Sequence, residues 1–193
     1  MSHDRQGETS IPLPIMTHRL SHRPSVPPES LSSVMPWTIH ENPLSKVPSP
    51  ALSEETLDLL RSVPEWFGRP ESNREYAEAA GRLPSWCVRS ESGQLLGLTV
   101  VEQHFQHAWE IHLMAVRASW HRRGIGRAML SALERRAAAA DVRLLQVKTL
   151  GASHPDPSYR ETRRFYEAVG FLPLEETDLW GEDTPCLILV KPL

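Results

Sequence analysis

The chain has 193 residues, of which 40% are hydrophobic and 23% are charged, and its formal net charge is −3. This length and composition predict one globular domain with room for a sizeable core. The slight acidic excess argues against a nucleic-acid-binding protein, because such proteins usually carry a basic excess.

The expected compartment follows from the hydrophobicity pattern. No apolar run approaches the ~20 residues of a membrane-spanning helix, and the first residues lack the charged and then apolar pattern of a secretory signal. We therefore expect a cytoplasmic protein with no membrane partner. Cys87 and Cys186 lie far apart in the sequence, and we expect both to be reduced, buried thiols.

Residues 1–33 differ in composition from the rest of the chain. Five prolines fall between residues 12 and 28, among serine, histidine and arginine, without a sustained hydrophobic period. Such a segment cannot bury enough apolar surface to offset its ordering entropy. We predict a disordered N-terminal extension over 1–33 and a folded domain over 34–193. Met35 is an alternative start, which leaves open whether the preceding segment is translated.

The folded region is predicted to open with a short strand over 37–40 and two helices. Ser53 is the predicted N-cap of the first helix, because it precedes two glutamates and then regularly spaced apolar residues. The second helix is predicted over 71–80, ending at Gly81.

An antiparallel meander should follow. Its predicted strands cover 86–89, 94–103 and 109–116. Ser92-Gly93 is a good turn dipeptide between the first two strands. His104 and His107 fall in the second turn, but no third ligand lies nearby in the sequence, so no metal is expected.

The second half of the chain alternates helices and strands. Apolar residues recur at i, i+4 spacing in the first helix, namely Ile125, Met129, Leu133 and Ala137. A buried strand over 144–149 precedes a helix whose start is indicated by Asp156-Pro157 and by a capping box from Ser158 to Glu161, and whose end is marked by Gly170. Closing strands are predicted over 171–175 and 186–191. These elements predict an α/β fold (α+β in the stricter sense), with a mixed, mostly antiparallel sheet and helices on both faces.

A glycine-containing loop rich in arginine joins the strand 109–116 to the helix at Ile125. Backbone N–H groups at a helix N-terminus lack internal partners, and the helix dipole favours an anion there. Gly124 and Gly126 remove the Cβ atoms that would keep a ligand away from these groups. Three arginines at this end each oppose the dipole by roughly 0.3–1 kcal/mol, a conflict that a bound polyanion would remove. The loop therefore predicts a diphosphate site, with solvated surface arginines beside a turn as the alternative.

The loop resembles motif A of the GNAT superfamily of N-acetyltransferases, whose acetyl-CoA loop reads Arg/Gln-x-x-Gly-x-Gly/Ala. Gly124 and Gly126 match this pattern, whereas His121 stands where the family has Arg or Gln. The resemblance implies a GNAT-like fold and acetyl-CoA as co-substrate, with the pantetheine bound along Met114–Val116. It also implies a bulged backbone N–H in that segment that donates to the oxyanion of the tetrahedral intermediate, and such a hydrogen bond typically lowers the barrier by ~3–4 kcal/mol. The residues it assigns to the cofactor are Met114, Ala115, Val116, His121, Arg122, Arg123, Gly124, Ile125, Gly126, Arg127 and Tyr159.

A second segment, from Thr162 to Phe171, is similar to the GNAT pattern Ala-x-x-Phe/Leu-Tyr-x-x-x-Gly-Phe. The resemblance places Tyr166 near the thioester sulfur as a general acid. A phenol of pKa ~10 giving its proton to a thiolate of ~8.5 is uphill by about 2 kcal/mol, so a hydrogen bond to sulfur is expected rather than full transfer. The alternative is that Phe165 and Tyr166 only fill an apolar helix face.

An amine acceptor needs a base, because an ammonium ion has no lone pair. Glu110 resembles the glutamate that some GNAT enzymes place at this strand. A carboxylate at ~4.3 taking a proton from an ammonium at ~10.4 is uphill by about 8 kcal/mol. Glu110 must therefore be buried with a raised pKa, act through water, or only orient a neutral amine. His112, on the same strand face, has a natural pKa better suited to the task, and either residue could be merely surface-facing.

The hypothesis is an acetyl-CoA-dependent N-acetyltransferase in which a primary amine attacks the thioester directly, since no cysteine lies near the loop as an acyl carrier. The alternative is a non-catalytic acyl-CoA-binding sensor or regulatory module. The acceptor stays open among small amines, amino acids, antibiotics and proteins. Residues 178–181 and 151–158 are expected to shape its pocket, and homodimerisation is suggested by fold-level analogy alone.

Overall fold

The computed structural model describes residues 35–45 and 47–193. The extension predicted over 1–33 lies outside these described residues. Within them, seven strands form one mixed sheet in the order β1-β2-β3-β4-β5-β7-β6. The strands are β1 (Trp37–Asn42), β2 (Ser85–Ser90), β3 (Leu95–Phe105), β4 (Ala108–Val116), β5 (Leu144–Leu150), β6 (Leu172–Thr177) and β7 (Cys186–Pro192). The helices are α1 (Pro50–Arg61), α2 (Pro70–Ala80), α3 (Ile125–Ala139) and α4 (Pro157–Ala168), with a 3₁₀ turn at Ala118–Trp120.

The sheet is antiparallel from β1 to β4 and again from β5 through β7 to β6, and β4 pairs with β5 in parallel. That parallel pairing covers Ala108–Ile111 against Leu144–Val147 and then stops. Both strands continue past this point, so their ends border a gap in the sheet. The predicted mixed sheet is confirmed, and the candidate active site lies at the gap between β4 and β5.

Helix α1 begins earlier than predicted. Its N-cap is Ser49, whose hydroxyl accepts a hydrogen bond from the Leu52 N–H at 3.3 Å. Pro50 occupies the first helical turn, where its fixed φ and missing N–H are tolerated. The prediction of Ser53 as N-cap is therefore wrong, because Ser53 lies one turn inside the helix and donates to the Ser49 carbonyl oxygen.

The other helix boundaries follow the local signals more closely. α2 ends at its C-cap Gly81, as predicted. All four periodic residues of α3 are buried: Ile125, Met129, Leu133 and Ala137. α4 is capped by Asp156, which accepts from the Ser158 N–H at 2.8 Å. The capping box predicted from Ser158 to Glu161 is wrong, because Ser158 is already helical.

Helices cover both faces of the sheet. One apolar cluster joins α3 and α4 to the sheet through residues such as Leu133, Tyr166 and Phe171. Another joins α1 and α2 to the opposite face through Leu59 and Leu98. Cys87 and Cys186 are buried free thiols, as predicted. Among the described residues, no helix is long and apolar enough to cross a membrane.

Candidate active site

A cavity of about 1280 Å³ opens where β4 and β5 separate. It is bordered by the ends of both strands, the start of α3, one face of α4 and the loop between α1 and α2. Ten of the predicted cofactor residues line it: Met114, Ala115, Val116, His121, Arg122, Gly124, Ile125, Gly126, Arg127 and Tyr159. Arg123 is outside this set, and its guanidinium instead lies 4.8 Å from the centre of the Trp120 ring.

The loop before α3 presents a row of backbone donors. Gly124 is the N-cap of α3 in the left-handed region (φ 82), and Arg122 adopts a similar φ of 59. Ala128 is the first α3 residue whose N–H has a backbone acceptor; it donates to the Gly124 oxygen at 3.0 Å. None of the amides of residues 122–127 has an acceptor among the described residues. Unpaired N–H groups at the positive end of a helix dipole form an anion-binding site.

The two loop glycines have different structural roles. A Cβ on Gly124 would meet nothing within 4 Å, but its positive φ is strained for most side chains. A Cβ on Gly126 would lie 3.2 Å from Cζ of Phe165 in α4. Gly126 therefore permits α3 and α4 to pack closely, a role not predicted from the sequence, while the expected approach of a ligand to Gly126 stays a prediction.

His121 holds the loop to the strand end. Its Nε2 lies 2.7 Å from the carbonyl oxygen of Val116, so this nitrogen carries the hydrogen and donates it. The ring also contacts the indole of Trp66, with centroids 5.7 Å apart. The residue that replaces the family's Arg or Gln thus connects β4, the glycine loop and the α1–α2 loop.

Strand β4 contains a bulge at His112. Val100 pairs with Leu113, whereas the next β3 residue, Val101, pairs with Ile111, which leaves His112 outside the regular register. The bulge predicted within Met114–Val116 is therefore misplaced, because those residues pair in regular register with β3. A bulge leaves one residue out of the ladder and re-aims its side chain, and His112 lines the cavity.

Glu110 is held by three donors. Its Oε2 accepts from Gln146 Nε2 at 2.6 Å, from Lys148 Nζ at 2.7 Å and from His104 Nε2 at 2.8 Å. Burial acts to raise the pKa of Glu110, but the hydrogen bonds from Lys148, His104 and Gln146 outweigh it, and the pKa ends below its usual range. Of the three roles predicted for Glu110, the one that needs a raised pKa is therefore wrong. Glu110 is also outside the set of described residues that line the cavity.

Tyr166 is buried on α4 and lines the same cavity as His112. Its ring packs edge-on against Phe165 and Phe171, each with centroids 5.3 Å apart. Burial raises the pKa of Tyr166 above its ordinary value. The phenol therefore stays protonated at neutral pH, which suits a hydrogen-bond donor. Its ring also belongs to the hydrophobic core, as the alternative of an apolar helix face predicted.

The loop between α1 and α2 was missed as a part of the site. Trp66 in this loop donates from Nε1 to Thr162 Oγ1 on α4 at 3.0 Å. In return, the Tyr159 hydroxyl donates to the Trp66 carbonyl oxygen at 2.8 Å, and burial raises the pKa of Tyr159 to about 12. Tyr159 thus anchors this loop to α4. The sequence signal for the role of this loop is the adjacent aromatic pair Trp66-Phe67 between two helices.

The segments expected to shape an acceptor pocket also reach the cavity. Trp180 lines it from the β6–β7 connection, and His154 and Asp156 line it from the loop before α4. Across residues 35–45 and 47–193, no group of three or more His, Cys, Asp or Glu side chains is arranged to hold a metal ion.

The comparisons with known proteins agree with this architecture. Residues 53–171 match the model of the acetyltransferase (GNAT) family. Because this match spans more than half of the sequence, the chain belongs to the GNAT acetyltransferase family. Comparison with curated protein sequences gives no match.

Several solved structures share the fold. A GNAT family acetyltransferase from Elizabethkingia anophelis with acetyl-CoA bound has a TM-score of 0.58 at 18% identity, covering 82% of this chain and 99% of that one. The aminoglycoside 6'-N-acetyltransferase from Enterococcus faecium has a TM-score of 0.59 at 20% identity, with coverage of 80% and 96%. Ard1 from Thermoplasma volcanium has a TM-score of 0.61 at 16% identity, with coverage of 82% and 98%. At these identities the likeness establishes the fold alone.

Proposed function

We propose that the protein is an acetyl-CoA-dependent N-acetyltransferase that transfers the acetyl group to a primary amine. The observation that carries this proposal is the row of unpaired amides over residues 122–127, which faces a cavity formed by the separation of β4 and β5. A diphosphate matches those donors in charge and in hydrogen-bonding capacity. The acetyl-CoA bound to the Elizabethkingia anophelis relative supports the same ligand class.

The proposed cofactor position follows the cavity. The diphosphate lies on the amides before α3, with Arg122 and Arg127 beside it as cations. The pantetheine amides pair with the β4 edge at Met114–Val116, where β5 no longer supplies hydrogen-bond partners among the described residues. The thioester then lies between Tyr166 and His112, near the point at which the two strands diverge.

The proposed reaction is a direct displacement. The amine nitrogen attacks the thioester carbonyl carbon, the C–N bond forms, and the C–S bond breaks to release the coenzyme A thiolate. Tyr166 donates a hydrogen bond to the departing sulfur and keeps its own proton, as its raised pKa favours. A backbone amide left outside the ladder by the bulge at His112 is the candidate donor to the oxyanion.

His112 is the better candidate for the base. It lines the cavity, whereas the Glu110 carboxylate is occupied by Lys148, His104 and Gln146. Protonating Glu110 would weaken the three hydrogen bonds that its Oε2 accepts, one of them from the Lys148 ammonium, in each turnover. We therefore assign proton acceptance to His112 and a structural role to Glu110.

Calorimetry with acetyl-CoA tests the loop assignment. Gly124→Asp introduces a carboxylate among the unpaired amides, and Asp is among the residues that best tolerate a left-handed backbone. We expect at least a tenfold loss of affinity. Gly124→Asn is the matched neutral control and should bind within a few-fold of the parent. Equal binding by parent and Gly124→Asp would refute the loop as the diphosphate site.

Release of coenzyme A thiol in the presence of a panel of amines tests the activity. We expect turnover with at least one amine class among small amines, amino acids, aminoglycosides and peptides. Acetyl-CoA binding without thiol release across the panel would favour the non-catalytic acyl-CoA-binding module instead.

A further inference from the structure

Glu102 on β3 faces the bulged His112 across the strand pair. Its Oε2 lies 3.6 Å from Nδ1 of His112, and the two side chains are 44% and 29% exposed respectively. Glu102 pairs in register with Glu110, while His112 has no register partner of its own on β3. Continued without the bulge, the register of the Glu102–Glu110 pair would place His112 opposite Val100, two residues from Glu102; with the bulge, it lies in the register step between Val100 and Val101.

The groups around His112 come from several elements. The ring of Tyr76, on α2, meets the imidazole edge-on with centroids 5.5 Å apart. Glu110, on the same strand, is paired with Lys148 of β5, so these two charges largely compensate each other. Glu102 is therefore the uncompensated carboxylate next to His112 among the described residues.

We propose that Glu102 is the positioning residue for His112 in acetyl transfer, an inference that rests on the proposed function. Glu102 accepts the Nδ1 hydrogen, which leaves Nε2 unprotonated and directed to the acceptor amine. A catalytic hydrogen bond is often long in the empty site and shortens in the complex. The tautomer of a histidine is set by the hydrogen bond that its other nitrogen makes.

The proton balance of the step is closed. The acceptor enters the step as its neutral amine, the ammonium proton having already passed to solvent. As the C–N bond forms, an N–H proton of the amine moves to Nε2 of His112, giving an imidazolium beside the ionised Glu102. Glu102 keeps its negative charge throughout and stabilises that imidazolium. The proton then leaves His112 for solvent, and the coenzyme A thiolate departs as the C–S bond breaks.

Steady-state kinetics of Glu102 variants test this proposal. Glu102→Ala removes both acceptor and charge, and we expect kcat to fall 10- to 100-fold while the Kd for acetyl-CoA stays within twofold. Glu102→Asp should recover part of the loss. In a His112→Gln background, Glu102→Ala should have no further effect on kcat, because Glu102 acts through His112.

Nitrogen NMR of His112 gives a readout that does not depend on turnover. The parent should show the Nδ1–H tautomer of neutral His112, and Glu102→Ala should shift the population towards Nε2–H. Thermal unfolding of each variant confirms that it is folded before kinetics are compared.

The outcomes separate the two proposals. A parent enzyme that turns over with kcat unchanged by Glu102→Ala, or with an unchanged tautomer, would overturn the role of Glu102 and leave the acetyltransferase assignment intact. A parent that releases no thiol with any amine would overturn the proposed function and this inference with it.

Discussion

At the residue scale, the two carboxylates near His112 differ in how many hydrogen bonds they already accept. Glu110 and Glu102 lie opposite each other on β4 and β3. Three donors converge on Glu110, whereas Glu102 faces His112 alone among the described groups. Two carboxylates in neighbouring positions therefore have different partners, which is why we propose different roles for them.

Removing the Glu110 charge should destabilise the fold. Glu110→Gln leaves Lys148 and His104 without their anion, and hydrogen bonds to charged groups are typically worth ~1.5–3 kcal/mol each. We expect a loss of about 1.5–3 kcal/mol in the free energy of unfolding at pH 7, measured by urea denaturation. Glu91→Gln in the exposed β2–β3 turn is the control and should change stability by less than ~0.5 kcal/mol.

The pH dependence of that loss follows from the lowered pKa of Glu110. A depressed carboxyl pKa contributes stability above the unfolded value of ~4.3, and this contribution disappears as pH falls through the folded value. The stability gap between parent and Glu110→Gln should therefore be constant from pH 7 to 5 and narrow below about pH 4. A gap that widened with acid would contradict the ion-pair assignment.

Tyr166 should affect rate more than stability. Tyr166→Phe keeps the aromatic packing against Phe165 and Phe171 but removes the hydroxyl that we propose donates to the sulfur. We expect kcat to fall about 10- to 100-fold, less than the ~10²–10⁴-fold typical of a lost general acid, because the proposed role of Tyr166 is a hydrogen bond and not proton transfer. Because burial raises the pKa of Tyr166, no loss of rate from its ionisation should occur up to pH 10 in the parent. An unchanged kcat in Tyr166→Phe would leave the residue with a packing role only.

At the element scale, capping and inter-element hydrogen bonds place the helices around the cavity. Ser49 caps α1 from outside the helix, while Ser53 lies within it. Ser49→Ala should cost about 1 kcal/mol of stability, as loss of an N-cap typically does. Ser53→Ala should be near neutral, because alanine is the better residue in a helix interior. Chemical denaturation of both variants checks this, and equal losses would contradict the assigned cap.

The hydrogen bond from Trp66 to Thr162 connects the α1–α2 loop to α4. A double-mutant cycle with Trp66→Phe and Thr162→Val should give a coupling of about 0.5–1.5 kcal/mol, the usual net contribution of one hydrogen bond. Unfolding free energies of the parent, both single variants and the double variant measure it. Additive losses within ~0.3 kcal/mol would mean that the loop and α4 are not energetically linked.

At the scale of the whole molecule, ligand binding should stabilise the folded domain. A ligand at 100 times its Kd adds about 2.7 kcal/mol, and 1 kcal/mol shifts Tm by ~2–4 °C for a domain of this size. Acetyl-CoA should therefore raise Tm by roughly 5–10 °C. At the same concentration, a tenfold loss of affinity in Gly124→Asp leaves about 1.4 kcal/mol of stabilisation, so the shift in that variant should be no more than about half that of the parent. An equal shift in that variant would place the ligand elsewhere. The homodimer suggested by analogy stays a prediction.

Local sequence patterns were sufficient for most elements. The i, i+4 apolar spacing of α3 predicted which of its residues are buried, because a helix repeats its faces every few residues regardless of what it packs against. The glycine loop before α3 predicted a row of unpaired amides for a second local reason, because a helix N-terminus leaves its first N–H groups without internal partners. The sequence by itself therefore determined the strand–loop–helix unit and the family resemblance.

Contacts between distant parts of the chain decided the rest. Glu110 is held by Gln146 and Lys148 of another strand, and Trp66 bonds to Thr162 from a different helix. No local period encodes such pairs, and a pKa depends on the burial and charges that only folding brings together. The bulge at His112 likewise arises from the register of β4 on β3. The tertiary structure thus moved the proposed base from Glu110 to His112, because it shows which side chain is already bonded and which faces the cavity.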